Sequence, residues 1–333
     1  MSKVRETRRT RRAAGSSQEN EPPGLACLEV WGGNASVDRC FVLMGLDAWL
    51  YSEAWGDDRQ GGDVYYLSSC ATGRITRLLL ADVSGHGLEA SAPAVALRTL
   101  MRRHANQLDQ RRLVAAMNHA FTAEVPLGVF ATASVATYFA PTRTLSLTSA
   151  GHPPPLRFQG GSRIWEAITS PETPGRAPAD VPMGISANAR YEQATRHLGA
   201  GDLVLFYSDA LIECRDRSGK NLGVTGLIAL LDRLDATPAE RLVPTLLDWL
   251  RSLEPGNLQR DDTTLLLVRP NDRFETSYRT LDLGMHRRAI AELVRAFARR
   301  GEPVPWPDLH PANLGGALMR PLNGLWGRRS QKG

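Results

Sequence analysis

The chain has 333 residues, of which 42% are hydrophobic and 23% charged, with a formal net charge of +5. That length holds one large domain with tails or two small ones, and the apolar content marks a folded globular protein rather than a disordered or fibrous one. No apolar run approaches the ~18–20 residues needed to cross a bilayer, and the N-terminus lacks the apolar stretch of a secretory signal, so a cytoplasmic protein is expected. The charge is uneven. Residues 1–14 carry six Lys/Arg against one Glu, and residues 320–333 carry four basic residues and no acid, which leaves a body of net charge −4 between two basic tails. Such tails could contact nucleic acid or an anionic membrane, but a solvated arm with no partner is the preferred expectation. Cys27, Cys40, Cys70 and Cys214 show no C-x-x-C spacing, so reduced thiols are expected in preference to a zinc site or a disulfide framework.

In chain order, residues 1–24 are rich in Arg, Ser, Glu and Pro and predict a disordered basic arm. Residues 25–270 predict the folded domain. Residues 271–333 predict an extension with one helix at about Met285–Arg299 and an irregular basic tail. Within the domain, apolar stretches around Trp31, Phe41–Leu46 and Trp49–Tyr51 predict opening strands. Ile75–Val83 predicts a buried strand that ends on the turn DVSGHG. Leu88–Ala105 and Arg112–Ala123 have helical spacing. Val129–Phe139 and Thr144–Ser149 predict a hairpin, and Pro154–Phe158 a further strand. Residues 159–181 read as a loop. Asp202–Leu211 predicts a strand, Gly226–Leu234 and Ala239–Leu253 amphipathic helices, and Thr263–Val268 the last core strand.

Four aspartates stand in order along this framework: Asp63 in GGDVYY, Asp82 in LLLADVSGHG, Asp209 in LVLFYSDAL and Asp261 in RDDTTLLLV. Three of them adjoin apolar runs that read as buried strands. A carboxylate at the end of a buried strand is costly to desolvate unless it is paired, hydrogen-bonded or bound to a cation. No Lys or Arg recurs beside these positions in a pairing pattern. Converging carboxylates without basic partners suit a hard cation such as Mg²⁺ or Mn²⁺. Taken singly, Asp82 reads equally well as a helix N-cap, and Asp63 as part of a surface turn. No P-loop pattern is present, and DVSGHG is not the G-x-S-x-G elbow of serine hydrolases.

DVSGHG, TLSLTSAGHPPPLRF, GDLVLFYSDALIE and DDTTLLLV, in that order and with PMGI before the third, resemble the serial motifs of the bacterial PPM (protein phosphatase 2C) superfamily. The branch is that of stage II sporulation protein E and the RsbU-like regulators, and the resemblance spans roughly residues 45–270. It implies an α+β fold, a PPM-type α-β-β-α sandwich of two mainly antiparallel sheets flanked by helices. It also implies two divalent cations, Mn²⁺ or Mg²⁺, and hydrolysis of phosphoserine or phosphothreonine by a metal-activated water. Carried over position by position, the metal ligands are Asp63, Asp82 as the bridging carboxylate central to catalysis, the backbone carbonyl of Val83, Asp209 and Asp261. Asp262 is expected to stabilise its turn. The sequence departs from the pattern at Tyr66, where a second acid is usual, and at Ser208 and Ala210, which replace Thr and Gly of T-D-G. Ser84 stands where the eukaryotic branch has a histidine, so no general acid carries over; His86 could serve instead or equally cap the helix that follows, and His152 is expected to fix a turn. The implied partners are a phosphorylated protein, by analogy an anti-sigma factor antagonist, and an activating protein that would act through the helical pair after Asp82. The alternative is a catalytically silent PPM-like binding module, for which Ala210 is the main support.

Overall fold

The continuous apolar runs of this chain are strands buried on both faces. The computed structural model describes residues 30–273 apart from 57–59, 71–73, 86–87, 106, 108 and 171–178. The predicted N-terminal arm, His86, the helix near Met285–Arg299 and the basic tail lie outside the described residues. Among the described residues there are twelve strands: β1 (Val30–Ala35), β2 (Val37–Leu43), β3 (Leu46–Glu53), β4 (Gln60–Cys70), β5 (Ile75–Val83), β6 (Ala131–Phe139), β7 (Thr144–Ala150), β8 (Leu156–Gln159), β9 (Ile164–Ala167), β10 (Ala194–His197), β11 (Leu203–Tyr207) and β12 (Thr263–Pro270). The helices are α1 (Leu88–His104), α2 (Gln110–Glu124), α3 (Ala210–Glu213), α4 (Gly223–Leu231) and α5 (Ala239–Leu253).

The strands form two six-stranded sheets, ordered β1-β4-β5-β6-β7-β10 and β2-β3-β12-β11-β8-β9. Neighbouring strands in both are antiparallel. Three apolar layers hold the domain together. Between the sheets pack Leu78 and Leu80 of β5, Leu67 of β4, Phe206 of β11 and Leu266 of β12. Outside the first sheet, Leu79, Ala81 and Val83 meet Leu97 and Met101 of α1 and Met117 and Phe121 of α2. Outside the second, Leu265 and Leu267 meet Leu242, Leu246 and Leu250 of α5. Burial of each such leucine, valine, methionine or phenylalanine contributes about 1.5–3 kcal/mol. A sheet covered on both faces needs no polar alternation, so β5 and β12 read as unbroken apolar runs. The result is the α-β-β-α sandwich expected. Among the described residues no helix is long and apolar enough to cross a membrane.

The helices follow local rules. Asp109 caps α2, its carboxylate accepting from the backbone N–H of Arg111 at 3.0 Å and of Arg112 at 3.1 Å. Leu242, Val243, Leu246, Leu247 and Leu250 place an apolar stripe along one face of α5. Three expectations shift. The strand predicted to reach Leu211 ends at Tyr207, and α3 starts at Ala210. The predicted loop 159–181 contains β9, an edge strand whose Trp165 is buried while Ile164 is exposed. β4 runs through GGDVYY, placing Asp63 within a strand rather than in a surface turn.

Candidate metal centre

Alternation along the strands decides which side chains reach the site. On β5, Leu78 and Leu80 face the inter-sheet layer while Leu79, Ala81 and Val83 face α1 and α2, which places Asp82 on the inter-sheet face. On β4, Tyr65 and Leu67 face inward, so Asp63 does too. The two aspartates are direct partners in the β4–β5 ladder, and Asp82 is opposite Thr132 of β6 on its other side. In the second sheet, Phe206 and Leu266 face inward, which brings Ser208 and Thr264 to the same layer. Asp209 follows at the start of α3, and Asp261 and Asp262 immediately precede β12.

Asp262 closes this end of the sandwich. Its Oδ1 accepts from the Trp55 backbone N–H at 2.6 Å, and its Oδ2 accepts from Gly62 N–H at 2.5 Å. One carboxylate after the second sheet's α5 thus fixes the backbone just before Asp63. Ser208 Oγ donates to Asp262 O at 3.2 Å and accepts from Thr264 N–H at 2.9 Å. Thr264 Oγ1 in turn lies 2.9 Å from Ser52 Oγ.

The acids push one another upward. Burial first, then the neighbouring Asp82, raises Asp63 well above the ordinary carboxylate range. The Thr264 and Ser208 hydroxyls are near enough to work against this. Both are engaged elsewhere, however, and the buried Asp63 Oδ2 has no hydrogen-bond partner. Asp82 is raised to about 7, by burial first and then by Asp209, Asp261, Asp262 and Glu213. Asp209 is raised by burial and Glu213, and Asp261 by burial, Asp209 and Asp262, with the Asp262 N–H on Asp261 Oδ1 opposing. No cation stands among the causes for any of the four. Glu213 was not singled out from the sequence, although its i,i+4 spacing from Asp209 puts both acids on one side of a helical turn.

The donor set suits a hard cation. Asp63, buried with an orphaned oxygen and no cation among the groups that shift it, lacks the charge that would make its burial favourable. Asp82 and Asp209 are half-buried and Asp261 is exposed. The backbone leaves room for close approach: a Cβ at Gly62 would lie 3.0 Å from the Val83 carbonyl oxygen and 3.5 Å from Asp82 Oδ1, so glycine there keeps those two oxygens clear. As the side chains stand, no three His, Cys, Asp or Glu among the described residues form a group able to hold one ion. What the fold brings together is the Asp63–Asp82 pair, with Asp209 and Asp261 near enough to raise Asp82.

Other marked positions have different roles. Tyr66 is fully buried on the α1–α2 side of β4, so an acid at 66 would not face the Asp63–Asp82 layer. Ala210 opens α3 directly after Asp209, whose φ is −62°, so position 210 has no need of glycine. His152 is 6% exposed and links the sheets. Its Nε2–H donates to the Tyr207 carbonyl at 3.1 Å, which leaves Nδ1 to accept from the Thr132 hydroxyl at 2.8 Å. Burial lowers its pKa to about 4, so it is neutral at physiological pH.

The family model described as Stage II sporulation protein E (SpoIIE) matches residues 72–271, more than half of the chain. The phosphoserine phosphatase RsbU of Bacillus subtilis (strain 168) is 25% identical over 197 residues, 58% of this chain and 55% of that protein. The chain therefore spans about half the length of this curated relative. The crystal structure of the RsbU and RsbW domains of a Mycobacterium tuberculosis protein is similar with a TM-score of 0.58 and 27% identity, covering 72% of this chain and 63% of that one. The PP2C phosphatase domain of SpoIIE from Bacillus subtilis, with a fragment of its regulatory domain, is similar with a TM-score of 0.57 and 17% identity, covering 68% of this chain and 64% of that one. With its two antiparallel sheets, its flanking helices and its ordered aspartates, the chain belongs to the stage II sporulation protein E family of PP2C-type folds.

Proposed function

We propose that the chain is a metal-dependent phosphatase of phosphoserine or phosphothreonine in a protein, the substrate being a phosphorylated anti-sigma factor antagonist of a partner-switching circuit. The observation that carries the reading is the set of four aspartates at one end of the inter-sheet layer, each raised by burial or by the others and none compensated by a cation. Membership of the family and likeness to a phosphoserine phosphatase support it.

In this reading Asp63, Asp82, Asp209 and Asp261, with the Val83 carbonyl, hold two divalent cations, Mn²⁺ or Mg²⁺. Such a pair, when bound, lowers the pKa of water and neutralises charge on phosphoryl oxygens. Asp82 has Asp63 beside it on β4 and feels Asp209 and Asp261 from the other sheet, so it is the carboxylate that would serve both ions. Ser208 is fully buried with its hydroxyl engaged as both donor and acceptor, so it is not a nucleophile, and the attacking group is water. His152, neutral and bonded at both ring nitrogens, does not protonate the leaving alkoxide, which takes its proton from solvent. The start of a helix at Ala210 removes the strain that favoured a silent binding module.

The test is hydrolysis of a phosphoserine protein with Mn²⁺ or Mg²⁺ and with EDTA. Turnover with metal and none with chelator is expected; equal rates in both would sink the two-cation reading.

A further inference from the structure

A cavity of about 130 Å³ adjoins the site, lined by Asp261 together with Glu213, Arg215, Asn221, Asn257 and Arg260. Its two arginines differ. Arg260 donates to Glu254 Oε1 at 2.7 Å and is occupied by that pair. Arg215 is exposed, and among the described residues its guanidinium has no hydrogen bond or ion pair. Its backbone, by contrast, is clamped. Asn257, 2% exposed, accepts from Arg215 N–H at 2.8 Å and donates to Arg215 O at 2.9 Å, while also donating to Leu250 O at 2.9 Å.

The loop that follows is equally fixed. Arg215 pairs with Asn221 across it. The Asp216 carboxylate accepts from Ser218 N–H at 2.8 Å, Ser218 Oγ at 2.6 Å and Lys220 N–H at 3.1 Å. The only acid within the loop is thereby committed to its own turn, while Arg217 and Lys220 point to solvent. A buried asparagine with three bonds to backbone, and a carboxylate with two to backbone and one to a hydroxyl, hold in place a loop whose exposed side-chain charges are cations. Rigid presentation of a charge lowers the ordering cost of binding its counter-charge. A guanidinium without a partner, beside a phosphoryl-transfer site, matches an oxyanion.

We propose that loop 215–220 docks an anionic segment of the phosphoprotein and that Arg215 is its specificity-determining residue, pairing with an oxyanion of the substrate. That oxyanion is either the phosphoryl group or a carboxylate flanking the phosphoserine. The inference rests on the phosphatase reading and deepens it: the acids hold the reacting end, and the loop selects the chain that carries it.

The experiment compares wild type, Arg215→Ala, Arg215→Lys and, as a control for surface charge, the distant and exposed Arg233→Ala. Binding of a fluorescent phosphoserine peptide, with acidic or with neutral flanks, is measured in EDTA. Turnover of the same peptides and of a small aryl phosphate is measured with Mn²⁺. Loss of one charge-assisted pair predicts roughly tenfold weaker peptide binding and a raised KM in Arg215→Ala, partial recovery in Arg215→Lys, and no change in Arg233→Ala. If the aryl phosphate suffers as well, Arg215 meets the phosphoryl group; if only the acidic peptide suffers, it meets the flanking carboxylate. Arg215→Ala that binds peptide as Arg233→Ala does, or wild type that binds neither peptide, overturns the proposal. Wild type that binds peptide through Arg215 but turns nothing over with Mn²⁺ sinks the phosphatase reading and leaves the docking loop standing.

Discussion

Strand β5 carries two charged residues, Arg77 buried and Asp82 half-buried, and they are treated in opposite ways. Arg77, near its start, is fully buried and fully engaged. Its Nε–H donates to Ala105 O at 3.0 Å, and its guanidinium also reaches Gln107 O, Thr137 Oγ1 and Gln110 Oε1. Ala105, Gln107 and Gln110 sit at the junction of α1 and α2, where unpaired carbonyls at the end of a helix need donors, and Thr137 is on the neighbouring strand β6. Asp82, five residues on, is surrounded by further carboxylates, with no cation among the groups that shift it. A buried charge whose bonds are all made is a piece of architecture; one that is crowded by like charge points to a counter-ion that the chain itself does not supply. That contrast, more than the number of acids, distinguishes a site from a structural charge.

The contrast can be broken at either end. The largest effect on stability is expected from Arg77→Ala. It strands the buried Ala105 carbonyl and the half-buried Gln107 carbonyl and leaves space behind, a loss of about 3–5 kcal/mol, read by denaturant unfolding. A loss under about 1 kcal/mol would show that the α1–α2 junction does not depend on it.

Asp82→Asn is expected to act on turnover instead, lowering kcat by about 10²–10³-fold with metal present. In EDTA the sign on stability reverses. Asp82 has a raised folded pKa, so its contribution is complete below the unfolded value near 3.9 and is lost as pH rises through about 7. Above pH 7 the metal-free variant should therefore be more stable than metal-free wild type. A variant that keeps near-normal turnover would remove Asp82 from the centre.

His152 is a third buried titratable group, and it sharpens the distinction because it is satisfied while neutral. Its folded pKa, about 4, lies below the unfolded value near 6.5. Its contribution is thus present above pH 6.5 and is lost as pH falls towards 4, by up to about 3 kcal/mol. The carboxylates of the metal-free protein titrate with the opposite sign over part of this range. The His152 part is therefore isolated as the difference between wild type and His152→Gln. A difference that does not vary between pH 6.5 and 4 would mean that the imidazole is not held neutral.

How much of this was legible follows from the range of each signal. β5, β11 and β12 announce themselves as unbroken apolar runs because both their faces are covered, and α5 has its predicted bounds because its stripe repeats every third or fourth residue. The strand through Asp63 was hidden by two glycines, which are poor strand formers, and their use shows only when Val83 O and the Asp262 carboxylate are seen against them. β9 and β10, four residues each at sheet edges, are too short to carry a period. The order of the aspartates was readable and their convergence expected, but not the means: Asp63 and Asp82 face each other through the register of β4 and β5. Arg77 carries no local mark at all, since its partners lie about 30 residues away, at Ala105, Gln107 and Gln110.

The smallest expected effect concerns the acid that was assigned to its turn. Asp262 does hold a turn, but not only its own: it accepts from Trp55 N–H just after β3 and from Gly62 N–H in β4, so it ties the second sheet to the strand that carries Asp63. Asp262→Asn keeps one acceptor oxygen and sets an amide NH₂ against the other N–H. One charge-assisted bond is lost and one donor is left facing a donor, at a cost of about 1–2 kcal/mol. Because the loosened backbone precedes Asp63 directly, turnover should fall about tenfold, less than for Asp82→Asn, and more of the loss should be recovered by raising Mn²⁺. The paired measurement is rate against Mn²⁺ concentration for the two variants, beside their unfolding curves. If Asp262→Asn proves as inactive as Asp82→Asn at saturating Mn²⁺ with its stability unchanged, Asp262 is itself a ligand, and the division between strap and ligand must be redrawn.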